Sequence, residues 1–194
     1  MSVAPAVLAI QGDFELHARA LEAVGARPTL VRTPEALLGA SHLVLPGGES
    51  TTYLKFFEFE PELEAAIREF HASGRPIFAT CAGAILLARE VLSPAQRSLG
   101  LLDIAIERNA YGRQVASFTT PLACAAITEW SQDPTPLDAV FIRAPIIRRT
   151  GPGVEVLAVR DTPVLVREGN VLAATFHPEA GADFRVQRYF LATG

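Results

Sequence analysis

The sequence predicts a three-layer α/β domain, helices on both faces of a mixed sheet with a parallel core. Three observations point to it. Through the first half of the chain, short apolar, β-rich runs alternate with stretches of helical periodicity, the pattern of βαβ units. The second half becomes a succession of strand-like runs with a hairpin signal at Glu168-Gly169-Asn170, which adds antiparallel strands. The length of 194 residues, with 49% hydrophobic and 20% charged side chains, suits one sizeable core, so a single domain over residues 1–194 is expected.

In chain order, Val7 to Ile10 reads as a strand, and Asp13 is placed to cap a helix running to about Gly25. Thr29 to Arg32 is a short strand. Thr33-Pro34-Glu35 reads as a cap with Pro at the first helical position. His42 to Leu45 is a strand, and Ser50 or Thr51 can cap the helix after it. Pro61 to Ser73 is an amphipathic helix, with Leu63, Ala66, Ile67 and Phe70 on one face and Gly74 ending it. Ile77 to Ala79 is a strand, and Ala82 to Glu90 an apolar helix.

Beyond these, Leu102 to Ile106, Val115 to Phe118, Cys124 to Ile127, Ala139 to Ile142, Val154 to Val159, Val164 to Arg167 and Val171 to Phe176 read as strands, and Ala182 to Leu191 as a closing helix. Ligands bind such sheets beyond the carboxyl ends of the parallel strands. The loops after Leu45, Ala79 and Phe176 are therefore where chemistry is expected.

Composition removes several classes of function. A net charge of −4 favours neither nucleic acid nor an acidic membrane surface. The apolar run at the N-terminus has no basic start, and no stretch approaches the roughly 20 apolar residues of a membrane helix. Two cysteines, Cys81 and Cys124, suggest neither a disulfide framework nor a metal cluster. A cytoplasmic protein without metal or cofactor is the expectation.

Three segments carry chemistry. Thr80-Cys81-Ala82-Gly83 falls between a predicted strand and a predicted helix. That is the setting of a nucleophile elbow, where a helix N-terminus favours thiolate over thiol. By itself it is no more telling than a buried structural cysteine. Of the four histidines, His17, His42 and His71 read as solvated or structural. His177 differs because it follows a strand and opens His177-Pro178-Glu179. Pro178 biases His177 toward extended geometry, in which residues two apart share a side. Glu179 can then reach one imidazole nitrogen while the other faces a nucleophile. Pro46-Gly47-Gly48-Glu49-Ser50-Thr51 is the third segment; its glycines permit a peptide plane to turn and offer N–H groups to an oxyanion.

The order of Gly-Gly loop, Cys elbow and His-Pro-Glu resembles the class I (triad) glutamine amidotransferases. The resemblance narrows to the glutaminase subunits of pyridoxal 5′-phosphate synthase through Leu8-Ala9-Ile10-Gln11-Gly12, Pro46 to Thr52, Thr80 to Gly83, Leu99 to Asp103, ERNAYGRQ (Glu107 to Gln114), FIRAP (Phe141 to Pro145) and Phe176 to Glu179. These blocks span nearly the whole chain, and ERNAYGRQ and FIRAP discriminate best. An amidotransferase subunit of another synthase is disfavoured by those two blocks, and a non-enzymatic scaffold by the intact Cys81, His177 and Glu179.

The resemblance implies the flavodoxin-like fold of that class, and glutamine hydrolysis with ammonia passed to a synthase subunit of the PdxS type in a hetero-oligomer. It implies Cys81 as nucleophile with His177 and Glu179 as relay partners. Gly48, Glu49, Ser50, Arg108, Ile142 and Arg143 would line the L-glutamine site, and Gln11 would face the synthase partner. Gly47, Gly48 and Ala82 are the expected oxyanion donors. The chain departs from the family at Ala79, where Gly is usual, and at Ala180, Gly181 and Gln187, where the family tends to carry Leu-Thr and a later His.

Overall fold

The computed structural model describes residues 4–108 and 117–193. Its main sheet has seven strands: β1 (Pro5–Leu8), β2 (Thr29–Val31), β3 (His42–Leu45), β4 (Ile77–Thr80), β10 (Glu155–Arg160), β11 (Thr162–Glu168) and β12 (Val171–Ala174). They lie in the order β10-β11-β12-β4-β3-β1-β2. The five strands from β12 to β2 are parallel, whereas β10 and β11 are antiparallel additions. The predicted hairpin is present, with Glu168 paired to Val171 across Gly169 and Asn170.

The parallel strands are buried on both faces, and parity along each strand sorts side chains into two cores. Ala6, Leu8, Leu43, Leu45, Ile77 and Ala79 point one way. There they meet side chains of the helices α2 (Pro34–Leu37), α3 (Ser50–Phe59), α4 (Pro61–Ala72) and α5 (Ala82–Leu87). Val7, Val44 and Phe78 point the other way. They pack with α1 (Phe14–Ala23), α6 (Ala125–Ser131) and α7 (Arg185–Thr193). The three layers are as expected.

Two smaller sheets flank the main one. One is β5-β6-β9, formed by Ala88–Leu92, Leu102–Glu107 and Ile146–Thr150. The other pairs β7 (Phe118–Leu122) with β8 (Leu137–Phe141). Among the described residues, no helix is long and apolar enough to cross a membrane.

Several predicted elements are corrected. The helix expected over residues 82–90 ends at Leu87, and Ala88–Leu92 is instead a strand parallel to β6. The strand expected over residues 124–127 is the start of α6, with Cys124 at its N-cap. Strand β9 had no counterpart in the sequence reading; its Arg148 and Arg149 are exposed and pair with Glu107 and Asp103 of β6. Asp13 occupies the N-cap of α1 but makes no side-chain cap hydrogen bond. The first two positions of the strand predicted at residues 115–118 lie outside the described residues.

Candidate active site

The site forms at the carboxyl ends of β4, β3, β12 and β1, the four central parallel strands. β4 lies between β3 and β12, so the loops that follow all three converge. Cys81 follows β4 directly and precedes α5, with φ 45° and ψ −103°. A left-handed φ is strained for a side chain with a Cβ, and such strain gathers at functional turns. Two bonds hold the turn: Cys81 N–H donates to the Ala174 carbonyl at 2.9 Å, and the Cys81 carbonyl accepts from Ile85 N–H at 3.1 Å. A Cβ at Gly83 would come within 2.2 Å of the Leu45 carbonyl oxygen, so glycine lets α5 seat against β3. Ala79, buried in β4, is accommodated without disturbing the strand's parallel register with Leu45 and Ala173. Ala82 opens α5, where backbone N–H groups have no intrahelical acceptor.

His177 enters from the end of β12, with its N–H donating to the Val140 carbonyl of β8 at 2.8 Å. Pro178 keeps it out of helical geometry, at φ −113° and ψ 82°. The segment Pro178–Ala180 is a 3₁₀ turn and not the extended chain expected. The turn still brings Glu179 to His177: Nδ1 and Oε1 are 2.8 Å apart, both side chains buried. His177 Nε2 is buried and has no hydrogen-bond partner among the described residues, and the Gly47 backbone packs against both the His177 ring and the Cys81 side chain. Loose alignment of this kind is usual before substrate binds.

Burial works against the imidazolium, but Cys81 and Glu179 outweigh it and push His177 up to about 10. Burial also opposes the Glu179 carboxylate, yet His17 and His177 hold its carboxyl well below the usual range. The arrangement therefore favours a charged imidazole between Cys81 and a buried carboxylate.

The loop of residues 46–49 after β3 closes the site. A Cβ at Gly47 would fall 2.5 Å from His177 Cε1 and 3.4 Å from Cys81 Cβ, so this backbone lies against both groups. Gly48 has φ 132°, and a Cβ there would come 2.1 Å from Gln11 Oε1. Gln11, on the loop after β1, fastens the segment: Glu49 N–H donates to its Oε1 at 2.7 Å, and its Nε2 lies 3.5 Å from the Gly47 carbonyl. Tyr53 OH donates to the Pro46 carbonyl at 3.0 Å. Neither Ser50 nor Thr51 caps α3, whose N-cap is Glu49.

The residues expected to bind substrate fall in two groups. Glu49, Ser50 and Arg108 meet around Gln96. Arg108 Nη2 pairs with Glu49 Oε1 at 3.0 Å, while Gln96 Oε1 accepts from Ser50 Oγ at 3.2 Å and from Arg108 Nη1. The Arg108 side chain is 11% exposed and that of Glu49 is 55% exposed, so a largely buried guanidinium is paired with a carboxylate that reaches solvent. Ile142 and Arg143 follow β8, whose Val140 holds His177. Arg143 is exposed and has φ 45°, a second strained non-glycine position, two residues after β8. Residues 109–114 of ERNAYGRQ lie outside the described residues.

Sequence reasoning missed four residues here. Gln96 gave no signal. Thr80 was read only as part of the elbow. Asp13 was read as a cap, but its carboxylate lies 3.8 Å from His177 Nδ1. His17 was read as solvated or structural, but it is buried against Thr80 and Glu179. Its spacing from Ala20 and Leu21, the other buried residues of α1, was the signal that could have found it. Asp13, His177 and Glu179 present possible metal-ligand atoms within 4.8 Å of one another. The 2.8 Å His177–Glu179 bond already engages two of them with each other.

Comparison with known proteins shows the family. Residues 7–193 match the SNO glutamine amidotransferase family. The pyridoxal 5′-phosphate synthase subunit PdxT of Kosmotoga olearia is 51% identical over 187 residues, covering 95% of this chain and 94% of the relative. The subunit of the same name from Thermotoga maritima is 48% identical over 186 residues, covering 95% and 96%. A crystal structure described as a glutamine amidotransferase superposes with a TM-score of 0.87 at 47% identity, covering 97% of each chain. The PurLQS structure from Thermotoga maritima, at 20% identity and a TM-score of 0.71, shares the fold. The chain belongs to the SNO glutamine amidotransferase family.

Proposed function

We propose that this chain hydrolyses L-glutamine to L-glutamate and ammonia through a Cys81-His177-Glu179 triad and serves a pyridoxal 5′-phosphate synthase. The observation that carries the reading is the strained Cys81 elbow beside a buried His177 whose Nδ1 is 2.8 Å from Glu179. Cys81 thiolate attacks the side-chain amide carbon of glutamine. His177 gives its proton to the departing ammonia, leaving a γ-glutamyl thioester. His177 then takes a proton from water as it attacks the thioester, and glutamate leaves. Backbone N–H groups of Gly47, Gly48 and Ala82 are the candidates to hold the oxyanion. The two relatives of the same name, each aligned over about 95% of this chain, support a synthase partner, of the PdxS type, to receive the ammonia. The chemistry asked of this subunit needs no metal or cofactor, and a cytoplasmic site of action suits it.

Arg108 and Arg143 are assigned to the α-carboxylate of glutamine, which a guanidinium can grip through two hydrogen bonds. Arg108→Lys and Arg143→Lys keep charge and lose the fork. A lost charge-assisted bond is worth about 1.5–3 kcal/mol, or roughly tenfold or more in KM. Glutamine KM should rise by that factor for the arginine that grips the substrate, with kcat little changed. An unchanged KM in both variants assigns the arginines to structure or to partner contacts.

The isolated subunit is expected to be a weak glutaminase that docking of the synthase switches on. Gln11 contacts both ends of the segment 47–49, so a partner that engages Gln11 would loosen the loop and let the Gly47–Gly48 peptide turn inward. One missing oxyanion donor costs about 10²–10³ in rate. Ammonia release with and without the synthase measures the switch, and Gly48→Ala should disturb it, because φ 132° and the adjacent Gln11 Oε1 leave no place for a Cβ in the resting loop. Full activity of the isolated wild type removes partner gating. Normal activation of Gly48→Ala moves the switch elsewhere.

A further inference from the structure

The His17 imidazole is a fourth polar group at the site with no part in the chemistry above. It lies on the inward face of α1 with 1% exposure. Its Nε2 is 3.2 Å from Glu179 Oε1 and 3.0 Å from Thr80 Oγ1. The same Oε1 is 2.8 Å from His177 Nδ1, while Oε2 is buried and has no partner among the described residues. An ionised carboxylate can accept about four hydrogen bonds. This one is buried and held through a single oxygen by two histidines, so each donor matters. Thr80 directly precedes the nucleophile. One ring nitrogen thus reaches both arms of the triad, the strand that carries Cys81 and the carboxylate that orients His177.

We infer that His17 is a positioning residue of the triad, donating Nε2–H to Glu179 Oε1 to hold that carboxylate ionised, turned toward His177 and fixed relative to Thr80. The ring then carries its proton on Nε2, and Thr80 Oγ1 shares it as a second acceptor. The inference rests on the triad reading of Cys81, His177 and Glu179. Other titratable groups nearby are few. Asp13, from the start of α1, lies 3.8 Å from His177 Nδ1 and is partly exposed. Cys81 comes from the elbow. Asp138 is the titratable residue of β8, and it is exposed. The remaining ring neighbour of His17 is Phe78, edge-on at 6.2 Å and apolar.

A hydrogen bond to the charged form of a carboxyl lowers its pKa, so removing one raises it. Without the His17 donor, Glu179 takes up a proton at higher pH and His177 loses its ionised partner. The test is glutaminase kinetics on the complex with the synthase subunit, comparing His17→Leu, His17→Gln and His17→Asn. His17→Leu should lower kcat roughly tenfold, about what one hydrogen bond to a charged group is worth. It should leave glutamine KM unchanged and move the acid limb of the kcat–pH profile to higher pH.

His17→Gln, whose amide N–H reaches about as far as Nε2, should restore both rate and profile; His17→Asn is too short and should not. On a Glu179→Ala background, His17→Leu should cost nothing further, because two groups acting as one unit are not additive. An unchanged rate and pH profile in His17→Leu overturns the inference, as does an equal loss on the Glu179→Ala background. If His17→Leu does not fold, the Gln and Asn variants decide, and equal activity in those two overturns it. Cys81→Ala is assayed alongside. Activity there would sink the triad reading itself, whereas a dead Cys81→Ala with a normal His17→Leu removes only His17.

Discussion

Cys81→Ala should reduce glutamine hydrolysis to background, a fall of at least about 10⁴-fold, because removing the nucleophile of a triad leaves only what binding and the oxyanion donors provide. The fold should persist: Cys81 is a small side chain, and its turn is held by backbone bonds to Ala174 and Ile85. Synthesis from added ammonium salts by the synthase complex should therefore continue. Cys124→Ala is the control. Cys124 lies at the N-cap of α6, packed in the core with Ile127, Leu122 and Leu137, where burial pushes its thiol up and away from the thiolate form. Its removal should leave ammonia release unchanged. The measurement is ammonia release and ammonium-supported synthesis for both variants.

His177→Ala should be nearly as damaging. It removes the group proposed to protonate departing ammonia and deprotonate water, and it leaves Glu179 buried with His17 as its one side-chain donor among the described residues. Glu179→Gln should cost less, since an amide carbonyl still accepts from Nδ1 but carries no charge to support the imidazolium. The double variant of Cys81→Ala with His177→Ala should match Cys81→Ala alone, as expected for groups that work as a unit. Steady-state kcat for the four proteins checks this order. Wild-type rates in His177→Ala would assign proton transfer to another group, and Asp13, 3.8 Å from His177 Nδ1, is the next carboxylate after Glu179 among the described residues.

Much of this architecture was legible from local pattern. The run His42–Leu45 is wholly apolar after its first residue and bounded by turn signals, and it is β3 as read. The failures share a cause. Ala82 to Glu90 is rich in good helix formers, but pairing with β6 draws Ala88–Leu92 into a strand, a tertiary choice that propensity does not contain. Cys124 to Ile127 is a short apolar run, too short for periodicity to separate strand from helix. Strand β9 hid behind Arg148 and Arg149, charged because they pair outward with β6.

The site divides in the same way. Cys81, His177 and Glu179 could be proposed from the sequence because each follows a strand in a pattern with chemical meaning. His17 and Gln96 depend on what lies across from them. A helical face predicts that His17 points inward but not that Thr80 and Glu179 receive it. Arg108 was assigned to substrate without sight of Glu49, which holds the guanidinium at 3.0 Å in the resting site.

The account turns on a covalent intermediate at one cysteine. The most direct measurement is mass analysis of the chain after rapid acid quenching of its complex with the synthase, mixed with excess glutamine. The added mass of a γ-glutamyl group should appear on the peptide containing Cys81, be absent from the peptide containing Cys124, and disappear in Cys81→Ala. Glutamine turnover with no adduct at Cys81, or with an adduct at Cys124, would contradict it.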